Sequence, residues 1–165
     1  MEPDIIYQEK FAAKGFILIL SPIAAMMFLV LLYHLLIETI EPFLTWTLFF
    51  LGMFLFFLIL TIGFCTFSIT MTSETLSVGF GIKKHTTHLT QIIDVQPDEV
   101  SAAKYGGFGI RVARIKGKNR LVYNTIGTKR VLLTRKEGKF PEFVFSTKNP
   151  EEVINVIRAQ LSLIK

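Results

Sequence analysis

Cysteine is almost absent from this chain, and charge is absent from two long parts of it. The single cysteine, Cys65, excludes an internal disulfide. Asp, Glu, Lys and Arg do not occur in residues 15–37 or in residues 42–73. Uncharged apolar runs of this length are typical of membrane spans rather than of soluble domains. The sequence therefore argues against a fully soluble protein.

Both uncharged runs are long enough to cross a bilayer as helices. Residues 15–37 would extend about 34 Å at 1.5 Å per residue, and the hydrocarbon core of a bilayer is about 30 Å thick. The second apolar run, 43–67, follows Pro42, which fits the first position of a helix. We predict transmembrane helices at 15–37 and 43–67. The link at 38–42 is so short that the helices must form an antiparallel hairpin.

The charges that flank these helices predict their orientation. The link contains Glu38 and Glu41 and neither lysine nor arginine. The other two flanks carry Lys10, Lys14, Lys83 and Lys84. Because positive flanks stay in the cytoplasm, we predict a multi-pass protein of the cell membrane with an external link. Segment 1–14 and a domain at 68–165 would both be cytoplasmic.

The pattern changes to strand alternation after the second apolar run. Leu76, Val78, Phe80 and Ile82 alternate with small and polar residues, as in a half-buried strand. Further short runs, each ended by turn residues, bring the total to roughly seven strands, a number typical of a small antiparallel sandwich or barrel. The sequence therefore predicts a mainly-β domain.

The last segment has the period of a helix. Asn149 can cap it, Pro150 fits its first position, and Glu152 completes a capping box. An apolar stripe follows at helical spacing, formed by Val153, Ile154, Ile157, Leu161 and Ile164. We expect this helix to pack its stripe over one end of the β domain.

The order of these elements resembles that of small bacterial pleckstrin-homology-like (PH-like) membrane proteins. The stretch Tyr105–Arg111 is similar to the Gly-Gly-Trp-Gly-Ile-Arg signature of that family, with Phe108 where Trp is usual. The resemblance implies a two-helix transmembrane hairpin, a PH-like barrel or sandwich with a C-terminal capping helix, and a non-enzymatic role. The residues that match the family motif, with structural roles, are Gly106, Gly107, Phe108, Gly109, Ile110, Arg111, Asn149 and Pro150.

Patterns that would indicate chemistry are missing or incomplete. The glycines at 106–109 lack both the GK[ST] ending of a P-loop and a βαβ context, which favours a bulge or a close backbone crossing. His85 and His88 would face opposite sides of a strand and could not easily share a metal ion. No G-x-S-x-G motif occurs. We predict no catalytic, cofactor-binding or metal site.

The clearest remaining signal is positive charge. Residues 68–165 contain 16 Lys and Arg against 8 Asp and Glu, a net charge of +8. The tether after the second span is short, so anionic lipid headgroups are the nearest partner for this charge. Nucleic acid is disfavoured as a partner, because the sequence has no strip of basic residues interleaved with aromatic residues on which bases could stack. An alternative is that this charge serves only topology and solubility. The candidate contacts with an anionic surface are Lys83, Lys84, Arg111, Arg114, Lys116 and Lys118.

Two functional hypotheses follow from the sequence. In the first, a membrane-anchored scaffold presents a basic domain at the cytoplasmic face to a protein partner, a second copy of itself or anionic lipid. In the second, the chain is a structural subunit of a membrane complex and acts through its transmembrane helices. An enzyme is disfavoured, because no candidate site is present.

Overall fold

The computed structural model of the chain describes residues 4–37, 43–81 and 83–164. The predicted link at 38–42 and Ile82 lie outside these ranges. Within the described ranges, three α-helices and nine strands follow one another as β1 (Ile5–Ala12), α1 (Lys14–Ile37), α2 (Phe43–Phe64), β2 (Thr66–Thr72), β3 (Thr75–Phe80), β4 (Lys83–His88), β5 (Ile92–Pro97), β6 (Gly109–Ile115), β7 (Lys118–Asn124), β8 (Lys129–Arg135), β9 (Glu142–Thr147) and α3 (Pro150–Ile164).

The first two helices form an antiparallel pair that is long and apolar enough to cross a membrane. Rings meet along the pair, with Phe28 near Phe54 and Phe16 near Phe64. Large apolar side chains such as Leu18 point away from the partner helix. The second helix ends at Phe64 rather than at Phe67, because the chain turns there and Phe67 is fully buried in a strand.

The β region consists of two sheets rather than one closed barrel. The first has the order β1-β2-β3-β4 and the second the order β5-β8-β9-β7-β6. The prediction of roughly seven antiparallel strands was therefore wrong in number, and also in direction, since β7 and β9 pair in parallel. β1 was missed because it precedes the first apolar run, and β4 because Lys83–His88 has no apolar alternation.

The core lies between the two sheets and under α3. Phe67, Ile69 and Val78 of the first sheet are fully buried, as are Val131 and Phe143 of the second. The C-terminal helix packs Val153, Ile154 and Ile157 into the same core. Leu161 is half-buried and Ile164 is exposed, so the predicted stripe is docked over the first part of the helix only.

The strand directions give the β domain two ends. The helix-proximal end is where the chain enters α1 and leaves α2. It is formed by residues 12–15, 64–67, 80–81, 83–84, 107–110 and 124–129, and by the end of β9. The opposite, helix-distal end carries the β2–β3 turn, the β6–β7 turn at 116–117 and the β8–β9 loop at 136–141. This division decides which charged residues lie near the helices.

Candidate functional site

The helical hairpin is joined to the β domain without a linker. β1 pairs with β2 up to the residues that adjoin the helices, with Ala12 opposite Thr66. One residue further on, the Ala13 N–H donates a hydrogen bond to the Cys65 carbonyl, at 2.9 Å. The entry of α1 and the exit of α2 are thus held side by side by the backbone.

Aromatic rings fill the space between the base of the hairpin and the first sheet. The Phe80 ring centroid lies 4.8 Å from that of Phe64, 5.5 Å from that of Phe16 and 5.0 Å from that of Phe67. Phe64 and Phe16 belong to the helices, whereas Phe80 and Phe67 belong to strands. Such pairs contribute about 0.5–1.5 kcal/mol each beyond their burial, so the joint is well packed as well as hydrogen-bonded.

Two glycines of the joint lie at contacts between segments that are distant in sequence, and at the first of them there is no space for a side chain. A Cβ on Gly15 would lie 2.4 Å from the Ile126 Cβ, so the β7–β8 loop contacts the start of α1 directly. A Cβ on Gly81 would lie 3.5 Å from the Gly63 carbonyl oxygen. The turn before β4 therefore contacts the last turn of α2.

Exposed lysines surround this joint at the helix-proximal end. They are Lys10, Lys14, Lys83, Lys84, Lys129 and Lys148. Within the described ranges, none of their amines forms an ion pair with a carboxylate. Lys148 was not among the candidates from the sequence, although its position beside Asn149, just before a predicted helix, marks it as a turn residue. We call these six residues the proximal lysines.

The six predicted surface contacts fall at both ends of the domain. Lys83 and Lys84, which the glycine before them in the sequence would place in a turn, are proximal and belong to strand β4. Arg111 is an exposed residue near the proximal end of β6. Arg114, Lys116 and Lys118 lie at the helix-distal end. Seven residues of strand β6 extend about 20 Å at 3.3 Å per residue, so this second group is far from the helices.

The distal basic residues are also partly engaged within the domain. The Lys118 amine lies 3.3 Å from a Glu142 carboxylate oxygen. The Arg114 Nε donates to the Gly117 carbonyl at 3.4 Å. The proximal and distal groups, similar in sequence, thus differ in what surrounds them.

The motif glycines form a turn at the helix-proximal end. Gly106, Gly107 and Gly109 have φ of 79°, 99° and 93°, a conformation that favours glycine. The Gly107 carbonyl accepts a hydrogen bond from Asn124 Nδ2 at 3.1 Å. Phe108 and Ile110 are partly buried there, while Asn149 and Pro150 begin α3. Residues other than glycine would be strained at these three positive-φ positions, and the structural role of the whole motif stays a prediction.

A buried charge network lies on the outer face of the second sheet. Arg120 Nε donates to Glu142 at 2.5 Å, and Arg120 Nη1 donates to the Tyr105 hydroxyl at 2.8 Å. The same hydroxyl donates to Asp98 at 2.7 Å, and Arg130 Nε donates to Asp98 at 2.8 Å. Burial and the hydrogen bond to Asp98 raise the pKa of Tyr105 to about 12. The network fixes segment 98–105 against the sheet.

The three histidines occupy separate places. His85 Nε2 lies 2.9 Å from Arg135 Nη1, and burial together with this guanidinium lowers the pKa of His85. His88 is exposed at the end of β4. His34 is buried in the hairpin, with Nε2 3.3 Å from the Phe43 carbonyl oxygen. Across the described part of the chain, no group of three or more metal-type side chains occurs.

No family model, no curated protein and no solved structure matches this chain. The resemblance to PH-like membrane proteins therefore stays a prediction that rests on the motif and on the order of the elements.

Proposed function

We propose that the chain is a non-enzymatic, membrane-anchored binding or scaffold protein of the cell membrane. The hairpin of α1 and α2 spans the bilayer and holds the β domain directly against the cytoplasmic headgroups. The proximal lysines contact anionic lipid, and the distal end is presented to a protein partner in the cytoplasm.

The observation that carries this proposal is the lack of a linker between hairpin and domain. The hydrogen bond from the Ala13 N–H to the Cys65 carbonyl fixes the start of α1 beside the end of α2. A domain attached in this way can neither move away from the membrane nor rotate freely against it. Its helix-proximal end must then lie at headgroup depth whenever the hairpin spans a bilayer.

The charge of that end suits the cytoplasmic leaflet. Each basic group near an anionic surface contributes about 1 kcal/mol, and the attraction falls off over a Debye length of about 8 Å at physiological salt. The proximal lysines are within this reach, whereas the distal residues, about 20 Å further away, are outside it. Electrostatic contact with lipid therefore involves the proximal lysines.

The pairing of β1 with β2 supports a common side for both flanks of the hairpin. Residues on either side of the two helices belong to one sheet, so they cannot lie on opposite sides of a membrane that the hairpin spans. This agrees with the orientation predicted from the lysines, in which both flanks are cytoplasmic.

Cysteine labelling in intact cells tests this proposal. In a Cys65→Ser background, Thr39→Cys in the link should react with an impermeant maleimide, while Gly117→Cys should react only after the cells are permeabilised. Labelling of Gly117→Cys in intact cells, or recovery of the full chain in the soluble fraction, would contradict the proposal.

A further inference from the structure

A notch opens at the helix-proximal end, between the start of α1 and the β7–β8 loop. It has a volume of about 260 Å³ and is lined by residues 11–14, by residues 125–128 and by Lys148. The contact between Gly15 and Ile126 closes it on one side. Lys14, the first residue of α1, places the notch where the chain would enter the bilayer.

Two lysines and no carboxylate line this notch. Lys14 lies on one wall and Lys148 on another, and no described lining residue is acidic. Lys148 is held there by its position: its backbone N–H donates to Glu9 at 2.8 Å, and its amine lies 5.2 Å from the centroid of the Phe11 ring. The carboxylate of Glu9 is already occupied by this N–H and by the Thr147 hydroxyl.

A neighbouring cavity shows why the notch is the better anion site. That cavity, of about 420 Å³, lies at the start of α3 and contains Lys129 and Lys148. Glu151 and Glu152 also line it, so its lining carries no net charge. Lys148 lines both cavities, but the notch adds Lys14 and no acidic residue, so only the lining of the notch has a net positive charge.

The surface next to the notch suits an acyl chain. Residues four apart lie on one face of a helix, so Leu18 follows Lys14 on the same side of α1 and is 74% exposed. Pro22 and Ala25 continue this exposed face and leave it shallow, because their side chains are small. An anion-binding site that continues into an exposed apolar helix face fits a phospholipid better than a soluble phosphate.

We infer that the notch binds the phosphate group of one anionic phospholipid, between Lys14 and Lys148, with an acyl chain along the Leu18 face of α1. This inference rests on the proposed function, since it requires the hairpin to lie in a bilayer. It goes beyond that function by assigning one bound lipid to a defined site instead of a diffuse attraction to many headgroups.

Native mass spectrometry of the full chain in mild detergent tests the inference. The probes are dioleoylphosphatidylglycerol, dioleoylphosphatidylcholine and soluble glycerol 3-phosphate. We expect one phosphatidylglycerol to stay bound to the native chain in preference to phosphatidylcholine. Because each of the two lysines contributes about 1 kcal/mol to binding an anionic headgroup, Lys14→Gln/Lys148→Gln should bind phosphatidylglycerol roughly 30-fold more weakly.

Two further variants separate a defined site from charge alone. The matched control Lys116→Gln/Lys136→Gln removes the same charge at the distal end and should bind as the native chain does. Ala12→Leu partly fills the notch while keeping both lysines, and it should also lose the lipid. Circular dichroism of each variant checks that the domain is folded.

The outcomes distinguish this inference from the proposed function. Two results would refute lipid binding in the notch: equal weakening of phosphatidylglycerol binding by the proximal and distal double variants, or retention of the lipid by both Lys14→Gln/Lys148→Gln and Ala12→Leu. Cysteine labelling could still place the hairpin in the membrane in either case. Displacement of phosphatidylglycerol by equimolar glycerol 3-phosphate would show that the site takes a soluble phosphate. Failure of the labelling experiment would refute the proposed function itself.

Discussion

The two ends of the β domain carry similar numbers of basic residues but use them differently. At the helix-distal end, Arg120 and Lys118 contact Glu142, and Arg135 contacts His85. At the helix-proximal end, the lysines are exposed around a joint made of backbone hydrogen bonds and aromatic rings. Charge in this basic domain thus has two roles: the buried network around Arg120 and Glu142 stabilises the fold, and the proximal lysines remain exposed for contact with a surface.

The largest effect is expected when the buried charge network on the second sheet is broken at Arg120. Arg120→Leu would leave the Glu142 carboxylate without its guanidinium partner, next to Tyr105 and Asp98. Removing one partner of a buried ion pair costs about 3–5 kcal/mol. Chemical unfolding of the full chain in detergent, followed by near-UV circular dichroism, should show a decrease in stability of this size.

The matched control for this variant is at the proximal end. Lys84→Gln also removes a positive charge, but from an exposed side chain, and should change the free energy of unfolding by less than about 0.5 kcal/mol. Equal effects of the two variants would remove the distinction between the ends.

A second variant tests how tightly the proximal end is packed. A Cβ on Gly79 would lie 2.2 Å from the Lys83 carbonyl oxygen and 2.6 Å from the Lys84 Cα. Because these are backbone atoms, β3 and β4 must separate, and we expect Gly79→Ala to cost about 3 kcal/mol. Ser77→Ala on the same strand is the control. A Gly79→Ala protein as stable as this control would show that the end is loosely packed.

A smaller decrease in stability is expected when the attachment of β1 is weakened. Glu9 accepts hydrogen bonds from the Lys148 N–H and the Thr147 hydroxyl, so it ties β1 to the segment before α3. Glu9→Gln removes the charge from both bonds and should cost about 1–2 kcal/mol. Hydrogen exchange of β1 should speed up in this variant. The control Glu74→Gln, which changes an exposed distal carboxylate, should leave the exchange rate of β1 unchanged. An unchanged rate in Glu9→Gln as well would contradict the conclusion that Glu9 holds β1 in place.

The smallest expected effect is a pH dependence at the distal end. Because burial beside Arg135 lowers the pKa of His85, the unfolded chain takes up a proton at higher pH than the folded chain does. This contribution to stability is therefore complete above the ordinary value of 6.5 and falls as pH drops below it. Thermal unfolding between pH 7 and pH 5 should be less pH-dependent in His85→Gln. An identical slope would exclude His85 as the cause.

The sequence was sufficient for elements whose pattern is local. Charge-free runs predicted the two apolar helices, and the Asn-Pro start with its apolar stripe predicted α3. Alternation over 75–82 predicted a strand, which the structure has at Thr75–Phe80. The sequence was not sufficient for β1 and β4, whose pairing depends on distant residues. Ile5–Ala12 becomes a strand because the hairpin returns the chain beside it, with Phe11 opposite Phe67.

The sequence predicted that basic residues form the candidate site, but it did not predict which of them lie near the helices. Lys83, Lys84, Lys116 and Lys118 look alike in the sequence, since all lie near glycine-containing turns. Strand direction alone separates them, because β6 and β7 extend away from the helices and return. Lys148 was missed for the same reason: hydrogen bonds from Thr147 and Lys148 to Glu9, on a strand of the other sheet, bring it close to Lys14.

A single distance measurement shows whether the helix-proximal end lies at the lipid headgroups. A fluorophore is attached at Lys84→Cys or at Lys116→Cys, with Cys65→Ser, in the full chain reconstituted in nanodiscs whose lipid headgroups carry an acceptor dye. We predict much stronger energy transfer from position 84, corresponding to a difference of about 20 Å in height above the membrane. Equal transfer from both positions, or stronger transfer from position 116, would contradict the account.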